Sequence, residues 1–367
     1  MLESNEIDAL RDAVRDVLND RLALDSVRRF VNSGARNDDA LLRTAAELGW
    51  FGMALPEAYG GSGLGFAALA ALYEELGRFL APLPFLPTAL CAQALAEGGD
   101  EAQRSAWLPL IACGECAAAV ASPGDALRGN MPALKARGAG FVLSGQVSGL
   151  LSPAGARLLL VFARDEAGAT RAILLEPARD GIEIEIGDAA DLTRHIGQVS
   201  FEGHEFSPAR MLPKDGAALA ERLLAHASLA LACDSVGGAA RILDLTVDYL
   251  KTRQQFGRPV GSFQALKHRC ADLKTVLEAS SAFIGEAIGH AEGHDAPRWA
   301  SMAKFYGCDA YASIAADAIQ LHGGIGFTWE HYCHLFLKRA LLNQQMCGGS
   351  EWHRDRAARL LIAQEAA

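Results

Sequence analysis

The sequence predicts an α+β protein with an N-terminal α-helical domain, a middle antiparallel β-barrel domain and a C-terminal four-helix bundle. Apolar residues recur at helical spacing in the first 112 residues and again after residue 212. Between these regions, short runs rich in β-branched residues are bounded by Gly, Pro and Asp, and no long helical pattern intervenes. Strands that follow one another in this way favour an antiparallel sheet. The predicted domains are therefore 1–112, 113–211 and 212–367.

Individual elements follow from periodicity and from capping residues. In the N-terminal domain, one helix covers the apolar repeat at 7–18, a second is capped by Asp38 and stops at Gly49, and a third covers 66–80. The strands of the middle domain are predicted at 141–143, 158–162, 172–175 and 182–186. The C-terminal helices are predicted at 217–251, 263–291, 295–323 and 332–345, and we expect Asp295 to cap the third of them and Ser350 to cap a last helix.

Composition excludes some classes of partner. The 367 residues include 34 Lys and Arg against 44 Asp and Glu, so the net charge is 34 − 44 = −10. An acidic chain without a basic tract is not expected to bind nucleic acid or an anionic membrane surface. The eight cysteines are scattered, and the first residues carry no secretory pattern, so we expect free thiols in the cytoplasm. No uncharged apolar run reaches the length of a membrane span.

Three segments resemble the signature motifs of the acyl-CoA dehydrogenase family. Residues 55–65, which include Pro-Glu-Ala-Tyr-Gly-Gly-Ser-Gly, resemble its Pro-Glu-x-Tyr-Gly-Gly-x-Gly loop. Residues 253–268 contain Arg-Gln-Gln-Phe-Gly-Arg-Pro followed by Phe-Gln and His, and they resemble a second motif. Residues 320–326 resemble the family's Gln-x-x-Gly-Gly-x-Gly. Since the three occur in the family's order across most of the chain, the protein is identified by resemblance as a member.

The resemblance implies an FAD-dependent enzyme that dehydrogenates the α,β bond of an acyl-CoA and passes electrons to an electron-transfer flavoprotein. It also implies an oligomer, because these residues serve an FAD that lies mainly in the neighbouring subunit. The chemistry agrees: a guanidinium can fork onto a pyrophosphate, an aromatic ring offers a flat face, and glycine lets the backbone approach a dinucleotide. The expected FAD contacts are Arg253, Phe256, Gln320, Gly323 and Gly324.

The sequence departs from the family where catalysis is expected. A segment that reads Trp-Ile-Thr against the flavin is here Gly149 to Leu151, and the usual catalytic glutamate is replaced by Cys347. A thiol is a poor base at neutral pH, because its reference pKa lies near 8.5. The position where some relatives carry the base instead falls at Ala227. The remaining candidates are weak, and they are Glu221 and Asp234, with Glu351 behind them.

With these departures the sequence resembles one subunit of the bacterial acyl-CoA dehydrogenases that are heterotetramers. In those enzymes one chain supplies the base and the other keeps the ADP-binding half. We therefore expect a partner chain without the usual glutamate. Two alternatives stay open: a self-sufficient homotetramer with a relocated base, and a non-catalytic subunit that stabilises a homologous partner. Small residues between Ala230 and Ala240 leave a further choice open, between room for a bulky acyl chain and close helix packing.

Two other patterns are set aside. The lone Cys113-x-x-Cys116 lacks the second pair that a zinc site needs. His331, Cys333 and His334, with His322 upstream, are candidate metal ligands, but adjacent helical positions point in different directions. The sequence therefore predicts no metal site.

Overall fold

The structure is a computed structural model that describes residues 4–365. Thirteen α-helices and nine strands occur in this part of the chain. The helices are α1 Ser4–Arg21, α2 Leu24–Ser33, α3 Asp39–Glu47, α4 Phe66–Arg78, α5 Phe85–Gly98, α6 Glu101–Ala112, α7 Pro123–Leu127, α8 Pro177–Asp180, α9 Gly216–Thr252, α10 Gln264–Gly289, α11 Ala296–His322, α12 Cys333–Gln345 and α13 Ser350–Glu365. The strands are β1 Ala118–Val120, β2 Ala133–Arg137, β3 Gly140–Leu151, β4 Leu158–Arg164, β5 Thr170–Leu175, β6 Ile184–Ile186, β7 Ile196–Phe206, β8 Gln254–Gln255 and β9 Arg258–Pro259.

By packing, the chain divides into two compact units. One contains Gly34–Gly65 and Pro82–Ala227, which include the main sheet; the other contains the described residues up to Ser33, Phe66–Ala81 and the chain from Ser228 onward. The helical, strand-rich and helical order that the sequence predicts is confirmed. The domain limits at 112 and 211 stay a prediction.

The capping pattern of the N-terminal helices is confirmed at α3. The Asp38 carboxylate accepts a hydrogen bond of 3.0 Å from the Leu41 amide, and Gly49, at φ 70°, follows the helix. Helix α2 was not predicted. It is short and strongly amphipathic, and it buries Val27, Phe30 and Val31. Helices this short depend on tertiary packing, so their own periodicity gives a weak signal.

The middle sheet corrects the predicted antiparallel barrel in two respects. Seven strands pair in the order β1-β4-β2-β3-β7-β6, with β5 beside β4. Among the described strands β6 pairs only with β7 and β5 only with β4, so these two strands remain open edges, although β1 also pairs with β3. Two pairings, β1 with β4 and β2 with β4, are parallel. The connection from β2 to β4 runs through β3, and that from β1 to β4 runs through α7, β2 and β3, so the absence of a long helix did not exclude parallel pairing.

The C-terminal helices pack around α11, which contacts α10, α12 and α13 directly. Helix α9 lies against it as well, since the Ser235 hydroxyl lies 3.4 Å from the Cys308 thiol. By length and composition α9 alone among the described helices could cross a membrane, but 94% of its most apolar stretch is buried in the fold. The predicted caps are partly wrong: the Asp295 carboxylate accepts from the Trp299 indole, and the Ser350 hydroxyl donates to Asp309.

The small residues of α9 allow close helix packing. A Cβ added at Gly237 would lie 1.8 Å from the Glu74 carbonyl oxygen of α4, and one added at Gly238 would lie 2.5 Å from the Tyr311 ring of α11. The reverse contact is equally close, because a Cβ at Gly77 of α4 would lie 2.1 Å from the Asp234 carbonyl oxygen. At Gly237 and Gly238 the missing side chains are thus replaced by neighbouring helices and leave no room for an acyl chain.

We predict that Gly237→Ala lowers the free energy of unfolding by about 1–3 kcal/mol, because α4 has to move away from the new methyl group. Gly285→Ala is the matched control. It lies on the exposed side of α10 with no atom within 4 Å of the added Cβ, so it should stabilise by about 0.5–1 kcal/mol. Urea denaturation measures both. Equal changes in the two variants would contradict the close crossing.

Candidate functional site

The ends of α9 and α11 are held together by a stack of rings. The Tyr249 ring lies 4.4 Å from the His322 ring in a nearly parallel arrangement, and the Tyr249 hydroxyl donates to the His322 carbonyl oxygen over 3.3 Å. Tyr249 lies four residues before Arg253, and His322 lies directly before Gly323. The contact therefore places the second and third sequence motifs side by side at one end of the helices.

The second motif presents its key side chains outward. Arg253 is exposed, and among residues 4–365 its guanidinium has no hydrogen-bond or ion-pair partner. Phe256 forms the turn between β8 and β9, where its φ of 54° is unusual for a residue other than glycine, and the side chain is 90% exposed. The ring meets Phe263 of the same chain edge-on, with 6.2 Å between the ring centroids, but it is not buried in the core. It is available to a ligand or a partner surface.

The third motif leaves its backbone open. Gln320 is exposed at the end of α11, and Gly323 follows with φ 66° and ψ −147°, a conformation that needs glycine. No atom lies within 4 Å of a Cβ added at Gly323 or Gly324. Packing within the chain therefore does not require the second glycine. An open backbone of this kind suits close approach by a ligand.

These observations fit the nucleotide end of FAD. The unpaired guanidinium would supply a positive charge for the pyrophosphate. The exposed ring would offer a stacking face, and the amide and the open glycine backbone would meet the polar edges of the nucleotide. The five predicted contacts lie on two segments that Tyr249 and His322 bring together. Their role in binding FAD stays a prediction.

The turn around Cys347, where the sequence predicts the position of the usual catalytic glutamate, is supported by a buried lysine. Lys304 of α11 is fully buried, and its Nζ donates to the carbonyl oxygens of Asn343 at 2.6 Å, Gln344 at 3.3 Å and Gly348 at 3.5 Å. These carbonyls end α12 and form the turn that contains Cys347. The thiol residue is 3% exposed and has φ 61°. The turn is therefore rigidly supported, but it carries no carboxylate.

The segment from Gly149 to Leu151, which by resemblance to the family would face the flavin, is part of strand β3 in the sheet. Gly149 has φ 68° and lies at an irregularity in the pairing of β3 with β7. An aromatic residue would be strained at that backbone angle. Leu151 is 2% exposed and pairs with Val120 and with Ile196. The backbone and burial here favour the present residues over those that face the flavin in the family.

The candidate base Asp234 is engaged in the core of the bundle. Its carboxylate accepts from the Asn343 amide at 2.7 Å and pairs with the fully buried Arg339 at 3.3 Å. A carboxylate that neutralises a buried guanidinium has a structural function, and a role of Asp234 as a base stays a prediction. Glu221 is half-buried near the start of α9, and its role stays a prediction. Glu351 is exposed on α13, and Ala227 is buried.

The sequence argument against a metal site, that adjacent helical positions point in different directions, does not apply to the observed structure. His322 ends α11, His331 lies in the following loop and Cys333 begins α12, so these residues do not share one helix. Their donor atoms all lie within 4.8 Å of one another. His334 does not join them, since its ring packs edge-on against Trp329. Sequence reasoning also missed Tyr249 and Lys304, whose functions depend on contacts with distant segments.

The chain belongs to the acyl-CoA dehydrogenase family. Residues 4–115 match the family's description "Acyl-CoA dehydrogenase, N-terminal domain", and residues 214–362 match "Acyl-CoA dehydrogenase, C-terminal domain". The acyl-CoA dehydrogenase IpdE2 of Mycobacterium tuberculosis is 33% identical over 342 residues, which are 93% of this chain and 92% of that protein.

Two solved structures extend the similarity. A variant of the Tcur3481-Tcur3483 steroid ACAD is 31% identical with a TM-score of 0.88, and the match covers 99% of both chains. The ChsE4-ChsE5 complex from Mycobacterium tuberculosis is 25% identical with a TM-score of 0.91 over 98% of both chains. The fold is therefore that of the family, and each of these two proteins has two named components.

We predict that Arg339→Met lowers the free energy of unfolding by about 3–5 kcal/mol, since it leaves the Asp234 carboxylate buried without its cation. Arg269→Met is the control, because the pair of Arg269 with Asp317 is largely exposed and contributes at most about 1 kcal/mol. Chemical denaturation of both variants measures the difference. Equal stabilities would show that the buried pair is not structural.

Proposed function

We propose that this chain is a subunit of an FAD-dependent acyl-CoA dehydrogenase that holds the nucleotide end of the flavin, while a homologous partner supplies the catalytic glutamate. The observation that supports this division most strongly is the contrast between two regions. Arg253, Phe256 and the pair Gly323 and Gly324 are left open by their own chain. At the base position the turn is intact, but Cys347 is buried within it.

The chain's own residues would act by binding and orientation. When bound, FAD supplies the two-electron acceptor for α,β-dehydrogenation of a thioester. Arg253 would neutralise the pyrophosphate, the ring of Phe256 would stack on a flat part of the cofactor, and Gln320 with the glycine backbone would meet its polar edges. Removal of the α-proton falls to a carboxylate on the partner chain, because the two family positions for the base are Cys347 and Ala227 here.

The assembly follows from the same proposal. An exposed Phe256 and the largely exposed Phe327 and Trp329 near the glycine pair support a tetramer in which another chain covers this end of the bundle. An electron-transfer flavoprotein would reoxidise the cofactor, and the substrate would be an acyl-CoA of lipid metabolism. None of the eight cysteines forms a disulfide within the described part of the chain, which supports a cytoplasmic location.

The first test measures FAD in the assembled complex, purified through a tag on this chain. Arg253→Ala should weaken FAD binding about ten- to a hundredfold, because a charge-assisted hydrogen bond contributes about 1.5–3 kcal/mol. Arg359→Ala removes an exposed arginine on α13 and should leave the affinity unchanged. Unchanged flavin content in Arg253→Ala would contradict a role in nucleotide binding.

The second test separates the proposed partner subunit from a self-sufficient enzyme. The chain is purified alone and after coexpression with a homologous acyl-CoA dehydrogenase chain of the same genome that retains the glutamate. We expect acyl-CoA-dependent bleaching of the flavin only in the coexpressed complex, and its loss when the partner's glutamate is replaced by Gln. Bleaching at the full rate by the isolated chain would establish the homotetrameric alternative. A complex that retains activity without this chain's Arg253 would leave only a stabilising role.

A further inference from the structure

Three side chains of the types that bind metals lie close together next to Gly323 and Gly324. His322 precedes Gly323 at the end of α11, and Cys333 is the first residue of α12. His331 lies between them in sequence, with its ring 4.3 Å from that of His322. The Cys333 thiol lies 3.3 Å from Nδ1 of His322. The three donors therefore come from the two ends of the segment that carries Gly323 and Gly324.

His322 shows the arrangement of a metal-binding histidine. It is 4% exposed, and its Nδ1 is 2.7 Å from the Ala318 carbonyl oxygen, to which it donates. Its Nε2 is buried and has no hydrogen-bond partner. An unpartnered buried nitrogen is costly. Metal-binding histidines almost always donate their other nitrogen to a carbonyl or carboxylate, and the bond to Ala318 leaves Nε2 as an acceptor in this way.

We propose that His322, His331 and Cys333 bind one divalent cation of the zinc class, with two imidazoles, one thiolate and an open fourth position. Zinc prefers this donor set, with distances of about 2.0–2.1 Å to nitrogen and about 2.3 Å to sulfur. Donors at a tetrahedral ion are then roughly 3.3–3.6 Å apart. The donor atoms lie within 4.8 Å of one another and the Cys333 thiol is beside Nδ1 of His322, so coordination through Nε2 requires the side chains to rotate. His331 would give up its long bond of 3.3 Å from the Cys333 amide.

Protonation states are compatible with this set. Burial lowers the pKa of His322, and burial together with the neighbouring His322 and His334 lowers the pKa of His331 to about 4. Both imidazoles are therefore neutral at pH 7. Burial raises the pKa of the Cys333 thiol to about 12 in the absence of a cation. Binding would convert this thiol to a thiolate, and its proton would be released to the solvent.

The cation would fix the segment between α11 and α12. Its ligands stand on both sides of Gly323 and Gly324, and Tyr249 stacks on one of them. Binding would thus rigidify the glycine backbone that the proposed function assigns to the nucleotide. The test below depends on neither flavin nor activity, so its outcome is independent of that proposal.

The experiment titrates the purified, chelator-treated protein with Co²⁺ and with Zn²⁺. We expect one ion per chain, a thiolate-to-cobalt charge-transfer absorption, and a rise in Tm with Zn²⁺ through mass action. Cys333→Ala should abolish the absorption and weaken binding more than about tenfold. Cys113→Ala, which removes an exposed thiol, should change neither.

A second variant guards against misfolding of the first. His331→Gln alters a half-buried loop residue, so circular dichroism should show native structure while Co²⁺ affinity falls at least as much. Absence of a cobalt–thiolate absorption in the native protein would overturn the proposal and leave the cluster as ring packing alone. Binding that survives Cys333→Ala and His331→Gln would overturn it as well.

Discussion

The arrangement of the C-terminal half depends on the close crossing of α9 with α4 and α11. A helix of 37 residues that is buried on nearly every side can lie there only if its neighbours approach its backbone, and Gly77, Gly237 and Gly238 permit this. The crossing fixes the direction of α9, and therefore the place where Tyr249 meets His322. Arg253 and the glycine pair, which lie beyond this contact, are therefore positioned by the helix crossing elsewhere in the bundle.

The residues that stay open to a ligand and the residues that are built into the fold lie in different parts of the chain. At the end of the bundle, Arg253 and the glycine pair remain open to a ligand, although nothing in the chain's own packing requires them. In the sheet, Gly149 and Leu151 serve strand geometry and burial, and the turn around Cys347 is held by Lys304. This pattern supports the proposal that two homologous chains share one site.

The features that could be predicted from the sequence are those that depend on residues close together in the chain. The long helices and the cap at Asp38 follow from periodicity and hydrogen bonding within a few residues. Open sheet edges, the parallel pairing of β1 with β4, and the ion pair of Asp234 with Arg339 depend on segments far apart in sequence, so no local pattern announces them. The convergence of His322 with Cys333 depends on how α12 folds back against the end of α11, so no local pattern announces it either.

The central claim is that this polypeptide holds the adenine end of a flavin whose redox ring lies against another chain. Photolabelling of the purified complex with an azido-adenine analogue of FAD, followed by mapping of the labelled peptides, tests it most directly. The account predicts that label appears in this chain within residues 249–263 or 320–332. Label confined to the partner chain would contradict it.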